Sequence, residues 1–252
     1  MTEINLTQCR LCGSKLDSSN KRRSHALTKA SFFDQVPLKS GEHLLLMNIG
    51  KPGVYDAGHH AWEYALCGEC EEKIGKWEDE RERFLSSAER PTKSFKEQKF
   101  IETMGFNQES IALACLADLY RCSVFVDELY GVDLGEKHSK KITDILNRGK
   151  LNNFTEYPVV MKRYNNQDEI TDGVFQIPSR VKFKNGIIAY EVIAPRGWSW
   201  IIKVDSRSYE LMEKVALGSC ENIRIMNGGS IYDWQNRRNL SNLMEAVRLN
   251  IN

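Results

Sequence analysis

Residues 66–80 read LCGECEEKIGKWEDE, with Cys67 and Cys70 set among six acidic residues. A C-x-x-C pair brings two thiols close to each other without straining the backbone. A second pair, Cys9 and Cys12, lies upstream with 54 residues between, and Gly13 after it lets the chain turn back on itself. Two such pairs predict a tetrahedral four-cysteine zinc site built from Cys9, Cys12, Cys67 and Cys70, since zinc accepts four thiolates at about 2.3 Å. Accidental spacing or a redox C-x-x-C are the competing explanations. Four thiolates leave no position open for water, so such a zinc would be structural. A segment of this size has only a small core, and the ion would hold it together.

The knuckle at Cys67–Cys70 runs into a helical pattern. Ile74, Trp77, Arg81, Phe84 and Leu85 recur three or four residues apart, with charges between. Glu71 and Glu72 open this helix, where acid suits the dipole. The run from Glu78 to Arg83 reads as an exposed charged face with a favourable Asp79–Arg83 pair. Upstream, Arg22–Leu27 and Trp62–Leu66 are expected strands, and residues 44–49 a strand or buried turn broken by Pro52-Gly53.

The chain has 252 residues, 41% hydrophobic and 27% charged, with net charge +1. That is an ordinary globular composition, and bulk charge does not mark a nucleic-acid binder. Residues 1–90 hold 13 Lys/Arg against 14 Asp/Glu, leaving 22 (35 less 13) against 20 (34 less 14) in 91–252. A nucleic-acid contact therefore rests on a local patch such as Lys21-Arg22-Arg23. No apolar run reaches the roughly 20 residues of a membrane span, and no signal peptide is visible. Seven cysteines, an odd number, fit a reduced cytoplasmic setting better than a disulfide framework.

The order is C-x-x-C, then Arg22-Arg23-Ser24-His25 on a strand, then the second C-x-x-C, then a helix opening with acid. This resembles the HNH (ββα-metal) endonucleases with a treble-clef-type zinc site. The stretches CRLCG, RRSHALTKASF and YALCGECEEKIGKWEDE look more closely like a diverged bacterial group with Ser-His and Cys-x-x-Cys-Glu motifs. The likeness spans residues 9–85, and residues 113–148 look like the helical segment that follows in that group. It implies a ββα-metal fold and metal-dependent hydrolysis of nucleic acid, DNA in the first instance, with bacterial or phage conflict as a setting. Ser24 stands where classical members carry Asp or His, and Glu71 where they carry Asn or His.

On that resemblance His25 is the candidate base that takes a proton from water. Glu71 and Glu78, seven apart on one helix face, are candidate ligands for Mg²⁺ or Mn²⁺. Lys21, Arg22 and Arg23 are candidate phosphate contacts. Each has a plainer competitor. His25 also suits a partly buried strand histidine or a substitute zinc ligand, Glu71 a helix-dipole acid, and the basic run a solvated turn. His59-His60 with Asp56 reads as a metal cluster or a polar hairpin tip, and Trp62 and Trp77 as core of the zinc module. The alternative function is a non-catalytic zinc module that binds nucleic acid or protein.

A proline-containing break at residues 88–94 separates a 1–90 zinc module from a 91–252 α+β domain. Helix is expected over 100–130, capped by Asn107 or Ser110, and over 136–149, ending at Gly149. Antiparallel hairpins are expected over 157–205 around Asn185-Gly186, and a last helix over 240–249. Trp198 and Trp200 share a strand face, suited to core packing or to stacking on a ligand. NGGS at 227–230 is a turn, not a phosphate loop. The second part is expected to serve recognition or regulation, through a protein partner or self-association.

Overall fold

A computed structural model describes residues 7–32, 45–47, 54–56, 62–87, 100–125, 132–164, 176–183 and 186–227. The expected 240–249 helix, the 88–94 boundary, His59 and His60 lie outside them. The described chain is a mixed α+β structure.

Strands β1 (Lys21–His25) and β4 (Trp62–Cys67) pair antiparallel. Between them come a short α1 (Lys29–Phe32) and a small antiparallel pair, β2 (Leu45–Met47) with β3 (Val54–Asp56). Helix α2 (Gly68–Ser87) follows β4 without a gap, so the second knuckle is itself the strand-to-helix turn. Its buried face is Cys70, Ile74, Trp77, Arg81, Phe84 and Leu85, at the spacing the sequence predicts.

The larger sheet has six strands in the order β5-β10-β6-β9-β8-β7. These are β5 (Phe100–Thr103), β6 (Val159–Arg163), β7 (Gln176–Lys182), β8 (Ile188–Ala194), β9 (Trp198–Lys203) and β10 (Ile223–Asn227). Every pairing is antiparallel except β10 with β6. That parallel step was not visible in the hairpin pattern. A short helix α5 (Glu210–Glu213) precedes β10.

Helix α3 (Gln108–Val124) starts later than expected, because Phe100–Thr103 is strand. Alternate residues of β5 are exposed and Glu102 pairs with Arg224 of β10 at 3.0 Å. Asn107 is the cap: its side chain accepts from the Ser110 amide at 3.0 Å. Every residue from Ile111 to Cys122 is buried, as expected of a helix packed on all sides. It lies against α2, against α4 (Gly135–Arg148) and against β7 and β9. Helix α4 ends at Gly149, whose φ of 70° is the left-handed cap that glycine adopts cheaply.

One buried cluster runs from Cys9 to Ile225. Trp198 and Trp200 carry much of the join, and they are core rather than a ligand platform, 1% and 0% exposed. Trp200 meets Phe32 edge-on at 5.6 Å, and Trp198 meets Phe84 at 5.2 Å. The indole N–H of Trp198 donates to the Leu85 carbonyl at 3.2 Å. No helix among the described residues is long and apolar enough to cross a membrane.

Candidate metal centre and adjoining cavity

The first knuckle turns through Gly13, at φ 76°, whose amide donates to the Cys9 carbonyl at 2.9 Å. Three elements fix this loop. The Arg10 amide donates to the Ala65 carbonyl of β4 at 2.9 Å. From α3, the Tyr120 hydroxyl donates to the Arg10 carbonyl at 2.5 Å, and from α4, the Asn147 side chain donates to the Leu11 carbonyl at 2.9 Å. The knuckle is thus docked by backbone as well as by sulfur.

All four sulfurs lie within 4.8 Å of one another. Cys9 and Cys70 are 3.8 Å apart, and Cys12 and Cys67 3.7 Å. A tetrahedron with bonds of about 2.3 Å has edges of about 3.8 Å, so the spacing fits four-coordinate zinc. Three of the sulfur-bearing residues are buried and Cys12 is exposed. The Cys67 amide points at Cys9 Sγ from 3.4 Å, as amides do around a bound thiolate. Cys9 is pushed down to about 4, chiefly by the Cys70 thiol, and then by the amides of Cys12, Cys67 and Leu11, against the cost of burial. Cys70 is pushed up by the same contact and by burial. Metal ligation needs both as thiolates, so an ion bound at this centre would displace protons.

Beside this centre lies a cavity of about 220 Å³. His25 at the end of β1, Glu71 and Glu78 of α2, and Arg121 of α3 all line it, with Thr28 and Glu82. The structure therefore brings together the three residues singled out as candidate catalytic groups. They are held differently. One carboxylate oxygen of Glu71, Oε1, is buried with no hydrogen-bond partner. Burial pushes the Glu71 carboxyl up, the nearby Glu78 carboxylate adds to the shift, and Arg121 and Ser24 ease it. Burial acts on Glu78 too, but Arg121, Arg81 and Thr28 outweigh it and hold its carboxyl below the usual range.

Glu78 is tied in place. Arg121 and Thr28 both make short hydrogen bonds to its Oε1. Arg121 also reaches Asp118 at 2.8 Å, and Arg81 pairs closely with the other oxygen of Asp118. Arg81 donates to Thr28 Oγ1 at 2.7 Å, and its guanidinium sits 4.9 Å from the Trp200 ring centroid. Two cations and two anions thus neutralise each other inside the molecule. This network is not visible in the sequence pattern of α2, where Arg81 falls both in the period of Ile74 and Phe84 and in the charged Glu78–Arg83 run expected to be exposed; Arg81 is 0% exposed. Among the described pairs, Arg83 joins Glu80, at 2.7 Å, rather than Asp79. The signal was present in Asp118 and Arg121, opposite charges three apart within the apolar run SIALACLADLYRCSV. Such charges in a buried helix must find partners.

Lys21, Arg22 and Arg23 are exposed on β1, where phosphate contact requires them to be. Trp77 is core, as expected. Trp62 is not: it is half-buried on β4 beneath the guanidinium of Arg23. Among the described residues the four cysteines form the only His/Cys/Asp/Glu group with ligand atoms this close. Comparison of the chain with family models, curated proteins and solved structures returns no match.

Proposed function

We propose that the protein is an endonuclease of the HNH type, with a zinc-stabilised treble-clef module, that hydrolyses phosphodiester bonds of DNA. The convergence of His25, Glu71 and Glu78 on one cavity beside the four-cysteine centre carries this reading. His25 takes the proton from the attacking water as a neutral imidazole. Lys21, Arg22 and Arg23 hold phosphates flanking the bond to be cut. Glu71, with its unpartnered buried oxygen, suits Mg²⁺ or Mn²⁺, and Glu78 has only the oxygen not taken by Arg121 and Thr28 to add. When bound there, such an ion supplies charge stabilisation to the phosphoryl oxygens.

A second reading, a non-catalytic zinc module that binds nucleic acid or a protein, is favoured by one observation. Arg121 already neutralises Glu78, which leaves that carboxylate less to offer a catalytic ion. Plasmid, linear and single-stranded DNA, and RNA, incubated with Mg²⁺ or Mn²⁺ separate the two. The enzyme reading expects cutting by wild type and a loss of at least about 100-fold in His25→Ala and in Glu71→Ala, zinc content unchanged. Equal cutting by all three proteins contradicts it. Binding without cutting by the wild type supports the second reading.

A further inference from the structure

The outer face of the β1–β4 pair carries a ladder of two adjoining rings with a cation at each end. Lys21 Nζ sits 4.6 Å from the Tyr64 ring centroid. Tyr64 meets Trp62 edge-on at 5.5 Å. The Arg23 guanidinium lies 4.4 Å from the Trp62 ring. Both cations are exposed and both rings are half-buried, so the rings have surface to offer. The order in sequence explains the geometry. Residues two apart on a strand share a face, which puts Lys21, Arg23 and His25 in one row. An irregularity in the pairing between Arg22 and Ser24 carries β4 past its regular alternation. Trp62 then falls directly across from His25, the candidate base.

Half-buried rings capped by exposed cations suit an unpaired strand, because the cation can move to a phosphate as a base takes the ring face. Bases stack on rings whatever their identity, and lysine and arginine neutralise the intervening phosphates. A duplex hides the faces of its bases and gains nothing from the rings. Ring stacking alone does not separate the two nucleic acids; DNA is the strand that the nuclease reading supplies. We propose that this face binds single-stranded DNA, with bases stacked on Trp62 and Tyr64 and phosphates on Lys21 and Arg23, so that the strand arrives beside His25. The inference rests on the nuclease reading for its relation to His25, but binding itself requires no cutting.

The test is fluorescence anisotropy of the full chain with a labelled thymine oligodeoxynucleotide, without added divalent cation, against a duplex and an RNA of equal length. The single DNA strand is expected to bind tightest. Trp62→Ala and Tyr64→Ala are each expected to weaken it by about tenfold. Arg23→Ala is expected to lower the slope of log affinity against log salt by about one. Should the alanine variants lose zinc or fold, Trp62→Phe keeps the question open to a spectroscopic answer: quenching of tryptophan emission by the oligonucleotide disappears in that variant. Tighter binding of duplex or RNA, no binding, or unchanged affinity in the folded ring variants overturns the proposal. Binding through the ladder by a wild type that cuts nothing keeps this inference and removes the nuclease reading. Cutting undiminished in Trp62→Ala and Tyr64→Ala does the reverse.

Discussion

Arg121 decides how the cavity wall is charged. It touches Glu78, Asp118 and Thr28 and is almost wholly buried. Removing one member of a buried charge network leaves its partners buried and unpaired, which costs about 3–5 kcal/mol. Asp118→Ala, which takes the paired carboxylate from Arg81 and leaves Arg121 with Glu78, is expected to lower unfolding stability by about that much in urea titration. A loss under about 1 kcal/mol would mean that water reaches the network. His138 offers a test by pH. Its Nδ1 lies 3.0 Å from the Tyr157 hydroxyl, and burial, with Lys137 and Lys141 nearby, lowers its pKa from 6.5. A base that folding makes harder to protonate contributes stability above its unfolded pKa, and that contribution is lost as pH falls from 6.5 through the lower folded value. Wild type is expected to lose thermal stability across that acid window, and His138→Gln to lose less of it. Parallel slopes for the two proteins would remove His138 from the account.

At the scale of elements, α2 gathers the design. It begins inside the second cysteine knuckle, sends Glu71 and Glu78 to the cavity, and buries Arg81 against Trp200. Helix α3 braces it, and its start depends on Asn107. Asn107→Ala is expected to cost about 1 kcal/mol by loss of the cap, read as a lowered midpoint in thermal melts. An unchanged midpoint would mean the Ser110 amide finds another acceptor. The legible elements were those with a local signature. The C-x-x-C pairs, the period of α2, the Gly149 stop and the strand runs flanking Asn185-Gly186 depend on residues close in sequence. What escaped depends on distant partners. Strand β5 is four residues long and forms because β10 pairs with it, from beyond residue 220. The parallel contact of β10 with β6 has no local mark. Arg81 looked solvated because its partners, Asp118 and Thr28, lie 37 and 53 residues away. The candidate site was legible as residue types, while the cations that restrain it were hidden in an apolar helix.

At the scale of the molecule, among the described residues, the four-cysteine centre and the large sheet share one buried cluster. The first knuckle is bonded to α3 and α4, and Trp198 of the sheet to Leu85 of α2. Loss of zinc is therefore expected to loosen more than the knuckles. Chelation should raise accessibility of the Cys115 and Cys122 thiols in α3, both fully buried, to a thiol reagent. Protection of those two cysteines after complete zinc removal would show that the sheet and α3 hold without the ion.

Closure of the four sulfurs, from residues 9 to 70, on a zinc ion is what would set the cavity beside them. Elemental analysis of purified protein tests this most directly. The account predicts one tightly bound zinc per chain, lost in Cys9→Ser and in Cys70→Ser. A protein that folds without zinc, or keeps its full zinc in both variants, contradicts it.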